Sequence, residues 1–469
     1  MNPILSMNKI LILILMLANC IASAQVKNTQ LKVSDNGRYL TYADGKPFFW
    51  LADTGWELFH RLDREEATFY LSDRAKKGYS VVQAVVWAEL DGASSPNKYG
   101  NSAFINNDPT KPNEKYFEHV DFIVNQAQKN GLYIGMLPTW GDKWNKKWGN
   151  GPEVFTPENA YIYGKWIGNR YKDKPMVWIL GGDRNPENET HYRIIQQMAK
   201  GLKEGADNKH LITYHPMGTC SSSTFFHQEN WLDFNMTQSG HSDKYFANHL
   251  FMNINYAMKP AKPTLDGEPR YEDLPLNFWE LKYPEGWAKN PLNVPDSCFK
   301  NGWFDAFDVR RAAYMAMMAG ACGHTYGHNS VWQMWSPGFL GNIPVKCTWK
   351  VALERPGNIQ MGYMRKFFES FDWQKGIPSQ HLLFENWSSS QQYNMALADA
   401  ELSFVALYSS VGHEIKVNVR NLKSKKLKIK WYDSRKGIFF KEEQVENQLI
   451  LNLTPPEKNM DWAILIETI

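Results

Sequence analysis

The stretch PMVWILGGD, at residues 175–183, decides the fold class of this chain. A short apolar run that ends on glycines is typical of a fully buried parallel strand, and the end of such a strand in a barrel usually carries chemistry. The stretch KPTLDGEPR, at residues 262–270, repeats this pattern later in the chain. Asp183 and Glu268 are therefore the first catalytic candidates, because two carboxyl groups at two strand ends favour glycoside hydrolysis.

Strand-like apolar runs alternate with helical patterns along most of the chain, which favours a parallel α/β fold. There are eight such runs, at residues 48–52, 80–87, 132–138, 176–180, 210–214, 231–237, 263–266 and 321–326. Eight strands with crossovers predict a (β/α)8 TIM barrel over residues 25–378. A doubly wound sheet is the alternative, but no glycine-rich phosphate loop follows the first strand.

The pattern changes near residue 379, where short β-like runs continue without helical patterns between them. They predict a small antiparallel β-sandwich domain over residues 379–469. Two roles remain open for this domain, because it could pack against the barrel as a scaffold or hold a carbohydrate.

The first 24 residues have the pattern of a secretory signal peptide. Lys9 precedes the apolar run 10–18, and small residues at 22–24 form a cleavage site. Cys20 offers a lipoprotein signal as the alternative, although Asn19 before it fits that signal poorly. We expect an exported protein, in the periplasm or at the cell surface, with no integral membrane segment after signal removal.

Composition narrows the partners and the cofactors. The formal net charge is +3, from 52 basic and 49 acidic residues, so the sequence lacks the excess of basic residues that nucleic-acid binding requires. Four cysteines follow the signal segment, but their spacing fits no metal knuckle and fixes no disulfide pairing. These are Cys220, Cys298, Cys322 and Cys347.

Polar and aromatic residues stand at the predicted strand ends, which line the active-site face of a barrel. Such side chains can bind sugar hydroxyls or stack on the faces of sugar rings. The candidate substrate-binding residues are Asp53, Trp87, Trp140, His215, Gln238, His241, Arg270, Tyr326 and His328. Glu89 and Asp142 also follow strand ends.

Several of these residues have structural alternatives. Asp183 could cap a helix, Glu268 could pair with Arg270, and the tryptophans could anchor loops. Asp53 could fix the loop that holds Trp56. The histidines invite a metal site, but no His-Glu-x-x-His helix is present, so we expect no catalytic metal and no cofactor.

Five separated motifs resemble one family in their order along the chain. They are FWLADTGW at 49–56, WILGGD at 178–183, QSGH at 238–241, GEPRYE at 267–272 and GHTYG at 323–327. Together they resemble the apiosidase-like proteins of glycoside hydrolase family 140. The segment WYDSRKG, at 431–437, resembles the small β domain that accompanies this barrel and carries a collagen-binding label.

The resemblance implies hydrolysis of apiosyl linkages in the plant pectin rhamnogalacturonan II, a cell-wall polysaccharide. It also implies that the strand-4 Asp and the strand-7 Glu are the catalytic pair. By similarity to retaining barrel glycosidases, Asp183 is the acid/base and Glu268 the nucleophile. The alternative is a catalytically silent protein that binds a glycan or collagen, which has no need for two opposed carboxyl groups.

Overall fold

The computed structural model describes residues 30–384 and 392–469. The expected signal peptide, with Cys20, lies outside the described residues. Within the described ranges, no helix combines the length and the apolar character that crossing a membrane requires. Cys220, Cys298, Cys322 and Cys347 are free thiols.

A small antiparallel sheet closes the bottom of the barrel. Its strands are β1 (Leu31–Val33), β2 (Leu40–Tyr42) and β3 (Pro47–Phe48). Phe48 packs edge-to-face on Tyr133, with 5.1 Å between the ring centroids, at the start of a barrel strand. The sheet therefore covers the apolar interior of the barrel at the end opposite the strand carboxyl termini.

Eight parallel strands form the barrel, as predicted. They are β4 (Trp50–Thr54), β5 (Val81–Val85), β6 (Tyr133–Leu137), β7 (Met176–Gly181), β8 (Ile212–His215), β10 (Asn235–Gln238), β11 (Thr264–Asp266) and β12 (Gly323–Tyr326). The barrel closes between β8 and β10 through individual hydrogen bonds. Asp233 N–H donates to the Ile212 carbonyl at 2.8 Å, and the Thr213 hydroxyl donates to the Phe234 carbonyl at 2.7 Å.

One crossover differs from the expected pattern. The two-residue strand β9 (Cys220–Ser221) follows β8, pairs antiparallel with β10 and leads into a single helical turn. Asn255 fixes this hairpin from below, because its amide hydrogen-bonds Ser221 and its Oδ1 accepts from Ser223 at 2.6 Å. The sixth strand consequently begins at Asn235, four residues later than its apolar run predicts.

The helices surround the barrel. They are α1 (Leu58–Arg61), α2 (Arg64–Lys76), α3 (Glu114–Lys129), α4 (Pro157–Tyr171), α5 (Glu189–Gly205), α6 (Ser223–Phe226), α7 (His249–Ala257), α8 (Ala306–Met318), α9 (Asn329–Trp332), α10 (Trp349–Ala352) and α11 (Pro356–Phe368). Two helices begin with the caps that their local sequences encode. Asp63 and Glu66 form a capping box on α2, and Thr156 caps α4 ahead of Pro157.

The C-terminal domain is a β structure, as predicted. Its main sheet is antiparallel, in the order β13 (Ile377–Pro378), β14 (Asn394–Ala398), β15 (Phe404–Ser409), β20 (Trp462–Thr468), β17 (Lys426–Asp433) and β18 (Ile438–Glu446). A ribbon of β16 (Ile415–Asn418) and β19 (Ile450–Leu453) packs over one face of this sheet.

The other face of that sheet is continuous with the barrel core. Tyr408 stacks on Tyr314 of α8, with ring centroids 4.7 Å apart and planes 6° from parallel. Arg310 of α8 forms a two-pronged ion pair with Asp461, at 2.6 and 2.7 Å. Both charged side chains are buried, so the interface is a shared core rather than a mobile junction.

Candidate active site

A cavity of about 820 Å³ opens at the carboxyl ends of the barrel strands. Asp183 and Glu268 both line it, from the ends of β7 and β11. The other lining residues come mainly from the loops after the strands and include Trp56, Glu89, Trp140, Trp148, Gln238, His241, Tyr271, Trp279 and Trp332. The cavity therefore combines carboxyl groups with aromatic surfaces, as sugar-binding clefts do.

Two glycines bring Asp183 to the cavity. Gly181, Gly182 and Asp183 all have positive φ angles, 88°, 99° and 60°, so the chain turns sharply at the end of β7. A Cβ atom on Gly182 would lie 2.9 Å from the Trp140 ring, and one on Gly181 would lie 2.9 Å from the Tyr214 ring. The double glycine is thus required for the aspartate to turn toward the site.

Histidines from two neighbouring strand ends hold Glu268. His241 Nε2 donates to Glu268 Oε1 at 3.0 Å. His215 Nε2 lies 2.8 Å from Oε2, an ion-pair distance whose angle is poor for a hydrogen bond. The Asp183 N–H group points at His215 Nδ1 at 3.4 Å, so this imidazole lies between the two carboxyl-bearing loops.

The backbone around Glu268 is equally fixed. The Gln83 side chain donates to the Gly267 carbonyl at 3.0 Å, across the barrel interior. The Gly240 N–H group donates to the Glu268 carbonyl at 3.1 Å. These bonds fix the backbone that carries the carboxyl group, which favours a preorganised site.

The surroundings shift the pKa values of the two carboxyl groups in opposite directions. Burial opposes ionisation of Glu268, but His215 and His241 outweigh it and lower its pKa to about 2. Burial and the Glu268 charge together raise the pKa of Asp183, against the opposing effects of His215 and Arg184. One ionised and one more easily protonated carboxyl group in one cavity is the arrangement that glycoside hydrolysis uses.

Among the predicted substrate-binding residues, Trp140, Gln238 and His241 line the cavity. His215 lies behind Glu268, buried between Trp56 and Trp140, with ring centroids 5.6 and 5.8 Å away. The remaining five face elsewhere, namely Asp53, Trp87, Arg270, Tyr326 and His328.

Three of those five are held on the barrel exterior, under the helices. Asp53 pairs with Arg74 at 3.0 Å and accepts from Tyr70 at 2.7 Å. Tyr326, its neighbour in register on β12, donates to Glu272 at 2.6 Å. Trp87 packs on Phe104, with ring centroids 4.6 Å apart. They stabilise the barrel and the helix layer.

The other two fix loops. Arg270 donates to the carbonyl oxygens of Asp243 and Phe246, and it makes no ion pair with Glu268. His328 caps α9 by accepting from the Ser330 N–H group at 3.0 Å, and its Nε2 lies 3.3 Å from Asp273. Both residues therefore act at a distance from the cavity.

Several aromatic lining residues were not chosen from sequence. Trp148 and Trp279 are 58% and 55% exposed and stand at the cavity rim. Trp332 and Tyr271 form part of its wall. Trp148 and Trp279 lie in loops with no strand end directly before them, and the signal that could have found them is the high tryptophan content of those loops.

Two groups of side chains in the described ranges have spacing that a metal could use. They are Asp273 with His328 and Cys347, and Glu57 with His60 and Asp91. Protein cations already neutralise both: Arg355 lies 2.8 Å from Asp273, and Arg61 lies 3.8 Å from Glu57. We assign a structural role to both groups.

Comparison with known proteins identifies the barrel. Residues 34–375 match the family described as "Apiosidase-like, catalytic domain", and residues 377–467 match "Putative collagen-binding domain of a collagenase". A solved structure titled "Glycoside hydrolase" is 30% identical over 95% of this chain and 98% of its own, with a TM-score of 0.81. A glycoside hydrolase family 5 structure from Bacteroides vulgatus ATCC 8482 is 29% identical over 95% of each chain, with a TM-score of 0.82.

No curated protein sequence matches the chain. The family match nevertheless covers most of its length, and the related structure at 30% identity spans nearly all of it. The chain belongs to the apiosidase-like family, and it is a glycoside hydrolase whose candidate active site is the cavity that contains Asp183 and Glu268.

Proposed function

We propose that this enzyme hydrolyses apiosyl linkages in the plant pectin rhamnogalacturonan II, as a retaining member of glycoside hydrolase family 140. The observation that carries the proposal is the apiosidase-like match over residues 34–375 together with the cavity that its two expected catalytic positions share. In this proposal the partner is an oligosaccharide or polysaccharide of the plant cell wall, and the enzyme is exported to the periplasm or cell surface.

The proposed mechanism assigns one role to each carboxyl group. Glu268, ionised because of its histidine neighbours, attacks the anomeric carbon and forms a glycosyl-enzyme ester. Asp183 gives its proton to the departing oxygen and then removes a proton from the water that hydrolyses the ester. The pKa directions of the two groups support this division of roles.

The C-terminal domain has a structural role in the proposal. Its stacked Tyr408 and its buried Asp461 contribute to the barrel core, and neither residue lines the cavity. A domain that anchors a separate polymer has no need of such a continuous interface. We therefore favour the scaffold over the glycan or collagen anchor.

The test is product analysis with rhamnogalacturonan II fragments. The full chain should release products by cleaving the bond to apiose, and a synthetic aryl apioside should yield free apiose. Glu268→Gln serves as the inactive control. Cleavage of other pectin linkages with the apiosyl bonds left intact would overturn the substrate assignment and leave the glycosidase assignment in place.

A further inference from the structure

Glu89 is a third carboxyl-bearing residue in the cavity wall. It follows β5 and lines the same cavity as Asp183 and Glu268. In the part of the chain that the structure describes, its carboxyl group has no hydrogen bond and no ion pair to the protein. A partly buried carboxyl group without a protein partner is costly, unless a ligand or solvent in the cavity satisfies it.

The loop that carries Glu89 is braced on both sides. The Asn150 side chain donates to the neighbouring Leu90 carbonyl from the loop after β6. His60 Nε2 donates to the Ser95 carbonyl at 3.1 Å, and Arg61 lies 3.5 Å from Asp91. The backbone is thus fixed while the carboxyl group has no protein partner. This arrangement positions the side chain to bind a ligand.

The charges around Glu89 are mostly negative. Burial raises its pKa well above the ordinary value, and the charges of Asp183, Asp142 and Glu268 raise it further, against the opposing effect of Arg184. Glu268 is already ionised in the same cavity. A second fixed anion in this cavity would repel the first, which shifts the equilibrium of Glu89 toward the neutral acid, and a neutral acid has one O–H donor.

We propose that Glu89 is a sugar-binding residue that keeps its proton and donates a hydrogen bond to an acceptor oxygen of the substrate. No bond is made or broken at this residue. Its role differs from that of Asp183, which must give up its proton in every turnover. The inference rests on the glycosidase activity of the cavity, and it holds for whichever glycoside the enzyme cleaves.

The first test compares two variants of this position. Glu89→Gln keeps the shape and an N–H donor, so kcat/KM should stay within a few-fold of the wild-type value. Glu89→Ala removes the donor, and kcat/KM should fall roughly tenfold to a hundredfold, which is the loss for one hydrogen bond to a polar ligand in a buried site. Glu65→Gln, an exposed carboxylate on α2, is the matched control and should change nothing.

The outcomes are distinct. If Glu89→Ala retains wild-type kcat/KM, the residue does not bind the sugar. If Glu89→Gln is as inactive as Glu89→Ala and azide restores it, Glu89 transfers a proton, and the proposal is wrong. If the wild-type enzyme cleaves another glycoside but no apioside, the substrate assignment fails, and the same variants are compared on that glycoside.

A second measurement is independent of turnover. Carboxyl-¹³C glutamate NMR of the full chain, with the Glu89 signal assigned by its loss in Glu89→Gln, should show a titration above the ordinary range for glutamate. The Glu268 signal should titrate far below that range. A Glu89 signal that titrates at or below the ordinary value would overturn the proposal even if the enzyme's substrate were still unknown.

Discussion

His241 donates a hydrogen bond of 3.0 Å to Glu268, and this bond joins the loops that follow two adjacent barrel strands. It keeps one oxygen of the carboxylate paired while the group faces the cavity. The imidazole is itself packed against Tyr271, with ring centroids 4.6 Å apart. The pairing fixes both the direction of the carboxylate and its charge.

Loss of this hydrogen bond should move the acid limb of the pH profile. In the wild-type enzyme kcat/KM requires ionised Glu268, so activity should be lost only as the pH falls toward about 2. His241→Ala removes a stabilising partner of the anion, so the Glu268 pKa rises and the acid limb moves to higher pH. In His241→Gln, which retains an N–H donor, the acid limb should lie between those of the wild-type enzyme and His241→Ala. An acid limb unchanged in His241→Ala would contradict this account.

The alkaline limb should report Asp183. Its pKa is raised by burial and by Glu268, and the proton must be present for the leaving group to depart. Activity should therefore fall as the pH rises through the pKa of Asp183. A nitrophenolate leaving group departs without that proton. The pH profile of the glycosylation step should therefore show no alkaline limb with such a substrate. If both kinds of substrate lose activity at the same alkaline pH, another group controls that limb.

The catalytic roles predict unequal effects of two amide substitutions. Glu268→Gln should abolish turnover of every substrate, since no glycosyl ester can form. Asp183→Asn should still cleave substrates with good leaving groups. Added azide should restore the turnover of this variant and give a glycosyl azide of retained configuration. Wild-type hydrolysis of pectin fragments by both variants would exclude the two residues as the catalytic pair.

Retention also predicts a distance and a stereochemical course. The carboxyl groups of Asp183 and Glu268 should lie about 5 to 5.5 Å apart in a crystal structure of the enzyme. ¹H NMR of the first product should show the anomeric configuration of the substrate. An inverted product, or a separation of about 9 Å, would assign the inverting mechanism instead.

The double glycine can be tested with a matched pair. Gly182→Ala should lower kcat/KM at least tenfold, because the new methyl group meets the Trp140 ring and displaces Asp183. Gly45→Ala has a similar φ of 87° but meets no atom within 4 Å, so it should lose only about 1 kcal/mol of stability and no activity. Equal activity in the two variants would refute the positioning role of Gly182.

The shared core predicts that the C-terminal domain stabilises the barrel. Asp461→Ala leaves Arg310 buried without its partner, so the free energy of unfolding should fall by about 3 to 5 kcal/mol, as measured by denaturant titration. Asp372→Ala removes an exposed partner of Lys375 and should have no measurable effect. Removal of residues 377–469 should lower the melting temperature, and an unchanged value would favour the anchor role.

Local sequence alone determined the strands, the helix starts and the two catalytic candidates. The run at 176–180 is apolar because both faces of a barrel strand are buried. Gly181 and Gly182 predicted the turn that brings Asp183 to the cavity, because only glycine combines a positive φ with such close neighbours. These features depend on local conformation and burial, which a sequence pattern records directly.

Tertiary structure alone decided which strand-end residues face the cavity. Side chains alternate between the two faces of a strand, so Asp53 points the same way as Leu51, which packs under the helices. Ala52, between them, points into the barrel. Whether a polar residue at such a position meets substrate or an arginine depends on residues far away in the chain, here Arg74. Trp148 and Trp279 reach the cavity through loops, whose course is fixed by long-range packing that no local pattern encodes.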